Sequence, residues 1–182
     1  MKETEDCIIP FKSYADGVHE FDFEIGDSFF QRIENSLIER GNLKVGVQMT
    51  KSQQMLRFHF VIDGTITVPC DVCLEDMDYP IVGCEGDMTV KFGPVTEEIS
   101  DELFQIAEND NEISVSQWIY EILAVSLPIK FVHFEDENGN PTCNPEMLSK
   151  LNQYLVTDEG ASAKSSTEEE TDPRWDKLKG LL

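Results

Sequence analysis

Basic residues are scarce in this sequence. Its 182 residues include 14 lysines and arginines against 36 aspartates and glutamates, so the formal net charge is −22. DNA, RNA and anionic lipids attract proteins that carry an excess of lysine and arginine. The charge therefore disfavours DNA and membranes as partners and favours a basic protein. Direct contact with RNA through a local basic patch stays open.

Long apolar runs are also missing. No stretch approaches the roughly 18 residues that indicate a membrane-spanning helix. The first six residues carry three acids and one lysine, whereas a secretory signal begins with basic residues. We therefore expect a cytoplasmic protein. In such a protein, five cysteines favour metal binding, catalysis or simple burial over a disulfide framework.

Motifs for catalysis are absent as well. The sequence contains no phosphate-binding glycine loop and no nucleophile elbow. Its histidines (His19, His59 and His133) share no spacing, and its carboxylates lie in acidic runs in which no pair stands out as acid and base. The sequence therefore predicts a protein that is not an enzyme and has no catalytic residues.

The sequence does contain the patterning of a mixed domain. Alternating apolar residues predict strands, and apolar residues at helical spacing predict helices. Together they predict an α+β fold in which an antiparallel, barrel-like or strongly bent sheet packs against about three helices. The predicted strands cover residues 7–11, 18–25, 43–50, 55–62, 65–69, 77–84 and 87–92, with 7–11 and 18–25 as a hairpin and 98–106 as a short element of either kind.

Turn and cap signals complete this prediction. Asp63 and Gly64 both tolerate positive φ, which predicts a type I′ hairpin turn between two of the strands. A first helix is predicted over 29–39, after capping residues at 26–28. A second begins at a capping box at Ser114 and ends before Pro128, with Trp118, Ile119, Ile122, Leu123 and Val125 on its apolar face. A third is predicted over 145–156, capped by Asn144, with Met147, Leu148, Leu151 and Leu155 facing inward.

Composition divides the chain into three parts. Residues 1–156 are predicted to form a single α+β domain. Residues 157–172 contain six acids, one lysine and no apolar residue larger than alanine, which predicts a disordered acidic linker. Residues 173–182 place Trp175, Leu178 and Leu182 at helical spacing among basic residues, which predicts an amphipathic tail that docks on its own domain or on a partner. Residues 97–137 carry eleven acids and one lysine. Such a run indicates either a solvated face or a docking surface for a basic partner.

Two cysteines lie three positions apart where a predicted strand ends. Cys70 and Cys73 have three interpretations: a redox pair, half of a zinc site, or reduced cysteines that pack locally. The acids that follow them (Glu75, Asp76 and Asp78) are expected to raise the thiol pKa, which argues against redox exchange. A zinc site needs two more ligands, for which Cys84, His133 and Cys143 are the candidates. No second Cys-x-x-Cys motif exists to supply them.

This stretch resembles a known family. It reads Pro69-Cys70-Asp71-Val72-Cys73-Leu74-Glu75 and is similar to the P-C-x-R-C-L-E core of the YceD family, the large ribosomal RNA subunit accumulation proteins. The Leu-Pro at 127–128 and the terminal Asp172-Pro173-Arg174-Trp175-Asp176-Lys177-Leu178 also fall where that family has a Leu-Pro and a D-P-R-x-x-x-L ending. The resemblance covers the chain from about Leu43 to its end.

The resemblance implies a role in ribosome biogenesis, namely support of large-subunit ribosomal RNA accumulation without an assigned catalytic activity. It implies partner-binding residues at Cys70, Asp71, Cys73, Leu74, Glu75, Arg174, Trp175 and Leu178. Many members carry a second cysteine cluster, typically C-P-x-C-G, where this chain keeps only Cys143. We therefore expect no cofactor and a degenerate or absent zinc site; if zinc binds, Cys70, Cys73 and Cys143 are the expected ligands. The alternative function is a zinc- or thiol-dependent protein that uses the Cys70/Cys73 pair.

Overall fold

The structure, a computed structural model, describes residues 7–100, 102–137, 139 and 142–154. Those residues form eight strands and three α-helices. The strands are β1 (Ile8–Ile9), β2 (Gly17–Ile25), β3 (Arg40–Lys51), β4 (Met55–Pro69), β5 (Asp76–Gly93), β6 (Glu97–Ser100), β7 (Leu103–Ala107) and β8 (Ile113–Ser114). The helices are α1 (Asp27–Phe30), α2 (Ser116–Ser126) and α3 (Pro145–Tyr154). In the described part of the chain, no helix is both long and apolar enough to cross a membrane.

Six strands form one mixed sheet in the order β2-β3-β4-β5-β7-β6. All neighbours in it are antiparallel except β5 and β7, which are parallel. The α+β prediction is confirmed, whereas the barrel-like and wholly antiparallel forms of the sheet are wrong. Burial explains why β7, and not β6, lies beside β5 and so gives a parallel pair. Ile106 of β7 is buried, while every residue of β6 is exposed. The more apolar strand therefore takes the inner position beside β5.

The core lies on one face of β3 and β4. Strict alternation of burial along both strands brings one set of apolar side chains inward, and these are Leu43, Val45, Val47, Met49, Leu56, Phe58, Phe60 and Ile62. Helix α2 covers that face with Trp118. The centroid of its ring lies 5.8 Å from that of Phe58 and 5.4 Å from that of Phe104. An aromatic cluster therefore anchors α2 on the sheet.

The predicted turn at Asp63 and Gly64 is wrong, because β4 runs through it without reversing. Gly64 pairs with Leu43 of β3 and with Ile81 of β5, beside a bulge. Its φ is +147°, and a Cβ at this position would lie 2.3 Å from the carbonyl oxygen of Asn42. The glycine serves a close approach of two strands rather than a turn. The predicted strands 77–84 and 87–92 likewise merge into the single strand β5.

The predicted N-terminal hairpin is also wrong. β1 pairs with β8, and β2 pairs with β3. Two hydrogen bonds at Cys7 support the pairing of β1 with β8. The backbone N–H of Val115 donates to the carbonyl oxygen of Cys7 (2.8 Å), and the backbone N–H of Cys7 donates to Ser116 Oγ (3.2 Å). The N-terminal strand is therefore fixed at the start of α2.

The first predicted helix is much shorter than its apolar spacing indicates. Helix α1 ends at Phe30, and residues 31–38 form turns. Asn35 adopts a left-handed φ of 58°, which a continuing helix cannot accommodate. After it, Ile38 is fully buried while Leu37 is 72% exposed. The apolar residues of this segment are therefore divided between core and solvent.

The second predicted helix is confirmed as α2, which ends before Pro128. Its predicted capping box is wrong, because Val115 is the N-cap residue and no side chain bonds to the cap. Val125 is 87% exposed, so it is not part of the buried face.

A second compact unit of the chain begins at Cys143 and contains α3. The predicted cap is confirmed: Asn144 Oδ1 accepts from the backbone N–H groups of Glu146 (2.9 Å) and Met147 (3.4 Å). Met147 and Leu148 are half-buried, whereas Leu151 is exposed, so its predicted inward orientation is wrong. Leu155, the predicted linker (157–172) and the predicted tail (173–182) lie outside the described residues.

Candidate metal centre

The Cys-x-x-Cys stretch forms a closed loop between β4 and β5. The backbone N–H of Cys70 donates to the carbonyl oxygen of Glu75 (2.9 Å), and that of Leu74 donates to the carbonyl oxygen of Cys70 (2.8 Å). Leu74 has a left-handed φ of 63°, which turns the chain back after Cys73. Both cysteines are buried, with exposed fractions of 0% at Cys70 and 2% at Cys73. The loop therefore points its two thiols into the protein.

Asp71 holds this loop against the segment that follows α2. Its backbone N–H donates to the carbonyl oxygen of Phe131 (2.8 Å), and its Oδ2 accepts from the backbone N–H of Phe131 (2.7 Å). The ring of Tyr79 packs on the same segment, with centroids 5.2 Å from Phe131 and 5.8 Å from Phe134. These contacts fix the position of the segment between the two phenylalanines, which contains His133.

His133 joins the two cysteines. Its Nδ1 lies 3.4 Å from the Sγ of Cys73, and the ligand atoms of Cys70, Cys73 and His133 all lie within 4.8 Å of one another. Cys143, at the start of the second compact unit, is buried. All five cysteines are reduced. Cys84, another candidate from the sequence, lies outside this group. Its thiol donates to the carbonyl oxygen of Ile122 in α2 (3.7 Å).

The environment of Cys70 favours its thiolate. Burial by itself raises the pKa of this thiol, but hydrogen bonds outweigh burial and lower it from 9.0 to about 6. The donors are the backbones of Cys73, Val72 and His133, together with the His133 side chain. The expected rise of the Cys70 pKa is therefore wrong, because hydrogen bonds from these backbones and from His133 outweigh the effect of burial.

Residues 58–182 match the model of a family described as large ribosomal RNA subunit accumulation protein YceD. The chain belongs to the YceD family. The matched range contains the Cys-x-x-Cys stretch, the Leu-Pro at 127–128 and residues 172–178, so the resemblance drawn from these motifs is confirmed. No curated protein and no solved structure matches the chain.

The side chains of this YceD-family protein fit zinc. Thiolate sulfur and imidazole nitrogen are the ligands of structural zinc sites, in which the metal lies about 2.3 Å from sulfur and about 2.0 Å from nitrogen. Two ligands at those distances around a tetrahedral ion are roughly 3.5 Å apart. The 3.4 Å between Cys73 Sγ and His133 Nδ1 agrees with this spacing. Zinc bound here would supply a cross-link between the β4–β5 loop and the segment after α2 that carries His133.

The sequence predicts Cys70, Cys73 and Cys143 as the metal ligands and offers His133 as one of the candidates for a fourth. The sequence signal for His133 is weak, because a histidine ten residues before a cysteine matches no short ligand motif. The pairing of Asp71 with Phe131 is what brings it to the loop, and that contact has no pattern in the sequence.

The residues expected to bind a partner have different environments in this YceD-family chain. Leu74 is 71% exposed and Glu75 is exposed, so both are open to a partner. Cys70 and Cys73 are buried, and the Asp71 carboxylate is bonded to Phe131. The three expected residues in the tail (Arg174, Trp175 and Leu178) lie outside the described residues.

Proposed function

We propose that this protein is a non-enzymatic, cytoplasmic assembly factor that supports accumulation of large-subunit ribosomal RNA by binding a basic ribosomal protein or a basic site on the immature particle. The observation that carries the ribosomal part of this proposal is the family match over residues 58–182. The family description points to the accumulation of large-subunit RNA. It does not say which partner is bound or how.

The charge distribution supports a basic partner. The net charge of −22 is spread over the chain, and residues 97–137 alone carry eleven acids and one lysine. An acidic surface attracts basic proteins and raises their rate of association. It can also shield a basic ribosomal protein from unspecific contact with RNA until the protein reaches its site.

Depletion of the protein in its own host tests the ribosomal role. We expect large-subunit ribosomal RNA to fall relative to small-subunit RNA, and free large subunits to decrease in a sucrose gradient. Re-expression of the full chain should restore both. Unchanged RNA ratios and unchanged subunit profiles after depletion would remove the ribosomal role.

Capture of partners from the depleted strain tests the mechanism. Tagged full-length protein should retain basic ribosomal proteins at low salt and release them at moderate salt, because salt screens contacts between exposed charges. Partners that stay bound regardless of salt would contradict a charge-based mechanism.

We also propose that the metal centre holds one structural zinc ion on Cys70, Cys73 and His133, with Cys143 as the further ligand that the sequence predicts. The observation that favours it is that His133, sixty residues after Cys73, converges on the cysteine pair, so that three ligand atoms lie within 4.8 Å of one another. Bound zinc would cross-link the β4–β5 loop to the segment after α2 and so hold Leu74 and Glu75 in place at the surface.

Elemental analysis of protein purified without added zinc tests this second proposal. We expect about one zinc per chain in the wild type and in Cys84→Ser, because the Cys84 thiol bonds to Ile122 outside the cluster. Cys73→Ser should lose the metal. Wild-type protein without zinc, or Cys73→Ser that keeps it, would refute the site.

A further inference from the structure

We propose that the groove between α2 and the β5–β7–β6 end of the sheet is the docking site for the basic partner. The groove would take a lysine- and arginine-rich segment that carries an aromatic or aliphatic side chain at its centre. This inference rests on the proposed function and names the surface and the segment through which it acts.

The groove consists of two adjoining cavities of about 320 and 490 Å³. Four residues line both of them and form the wall that the cavities share, namely Met88, Glu98, Trp118 and Glu121. Together the cavities extend from β8 along α2 to Val125. Their combined volume suits several side chains of an extended peptide.

The floor of the groove is apolar and well packed. The ring of Trp118 lies 5.8 Å from that of Phe58, and the ring of Phe104 lies edge-on to it at 5.4 Å. Val125 is 87% exposed at the far end, as a large apolar side chain without cover. A surface of this kind binds the apolar part of a partner without first having to become ordered.

The rim of the groove is acidic. Glu98 and Glu121 belong to the shared wall, with Asp110 and Glu112 at one end and Glu85 and Glu102 at the other. Within the part of the chain that the structure describes, no lysine or arginine forms an ion pair with any of these carboxylates. The contacts of Asp110 and Glu121 are with neutral groups, the hydroxyl of Thr96 (2.7 Å) and the amide of Gln117 (2.7 Å).

An acidic rim over an apolar floor selects a basic amphipathic segment. Lysine and arginine cover apolar surface with their methylene stems while their charged ends stay in water. Their ends would reach the rim carboxylates, and a central phenylalanine or leucine would fill the cavity over Trp118. An acidic or purely polar segment would satisfy neither part of the groove.

The test uses the full chain with Trp175→Phe, which leaves Trp118 as its one tryptophan. The probe is a fluorescein-labelled decapeptide of lysines and arginines with a central phenylalanine and no tryptophan. Anisotropy measures binding, and emission from Trp118 measured with unlabelled peptide reports whether the groove is occupied. We expect saturable binding and a change in Trp118 emission over the same concentration range.

Two matched double variants locate the contact. Glu98→Gln with Glu121→Gln removes two charges from the shared wall, and the peptide should bind about two- to thirtyfold more weakly. Glu20→Gln with Glu24→Gln removes two exposed charges from β2, at the opposite edge of the sheet, and should weaken binding less than about twofold. Val125→Ser, at an exposed position, should also weaken binding, because the methylene stems of the peptide's basic residues lose apolar surface there.

Equal losses from both double variants, or peptide saturation without any change in Trp118 emission, would overturn the groove as the site. That result would leave the depletion phenotype, and with it the ribosomal role, unaffected. An unchanged RNA ratio after depletion would remove the ribosomal role even if the groove bound the peptide.

Discussion

Cys73 Sγ and His133 Nδ1 lie 3.4 Å apart although sixty residues separate them in sequence. The contact links the β4–β5 loop, which carries the family motif, to the segment after α2. No sequence motif links the two segments, because the spacing between them matches no known ligand pattern. Their contact is what turns an incomplete cysteine motif into a possible metal centre.

Replacement of His133 by alanine should weaken zinc binding at least tenfold, because it removes one of four ligands. Competition with a chromogenic chelator measures the affinity. His59→Ala is the control, since the side chain of His59 is 42% exposed and bonds to Asp87. Equal affinities in the two variants would exclude His133 as a ligand.

The pKa of Cys70 makes the stability of the metal-free protein depend on pH. The thiol titrates at about 6 in the folded state and near its ordinary 9.0 when unfolded, so the unfolded chain binds more protons between these values. Stability should therefore rise from pH 6 to pH 9 and be lost as pH falls through 6.

Urea unfolding of metal-free protein at pH 6 and pH 9 measures this dependence, and Cys70→Ser is the control that lacks the group. Thiolate absorbance near 240 nm should show a step near pH 6 that the variant lacks. The same pH dependence in wild type and variant would contradict the lowered pKa.

Asp71 should act through the fold rather than through a partner. Asp71→Ala removes the acceptor for the backbone N–H of Phe131 and should cost about 1–2 kcal/mol of unfolding free energy. It should also reduce zinc affinity, because the segment that carries His133 is less firmly held. Asp71→Asn keeps an acceptor oxygen at the same distance and should recover most of both effects. Failure of asparagine to do so would mean that the charge itself is needed.

Much of the fold could be predicted from local pattern. The strand character of β2 to β5, α2 and the Asn144 cap of α3 follow from alternation, helical spacing and capping chemistry, which act within a few residues; the unbroken length of β4 and β5 does not. What could not be predicted depends on distant contacts. β1 pairs with β8 about a hundred residues away, and β7 rather than β6 lies beside β5 because of its burial.

The candidate site divides in the same way. The sequence identifies Cys70 and Cys73 by their spacing and Cys143 by family position, since these are patterns along the chain. It cannot select His133, because that residue reaches the loop through the two hydrogen bonds between Asp71 and Phe131. The sequence also predicts the wrong direction for the Cys70 pKa, since it shows the nearby acids but not the backbone N–H groups that bond to the sulfur.

Gly64 illustrates how a turn signal can hide a packing constraint, and it yields a sharp prediction. Gly64→Ala places a Cβ 2.3 Å from the carbonyl oxygen of Asn42 and 2.8 Å from the Cα of Leu43, at a φ of +147° that alanine rarely adopts. Because both neighbours are backbone atoms, they cannot move aside as a side chain could, and we expect a loss of about 3 kcal/mol or more. Gly46→Ala is the matched control in the neighbouring strand β3, where the nearest atoms are 3.9 Å away, and its effect should stay within about 0.5 kcal/mol. Chemical denaturation measures both. If Gly64→Ala were as stable as Gly46→Ala, position 64 would be a flexible turn after all, and β4 would not run unbroken from Met55 to Pro69.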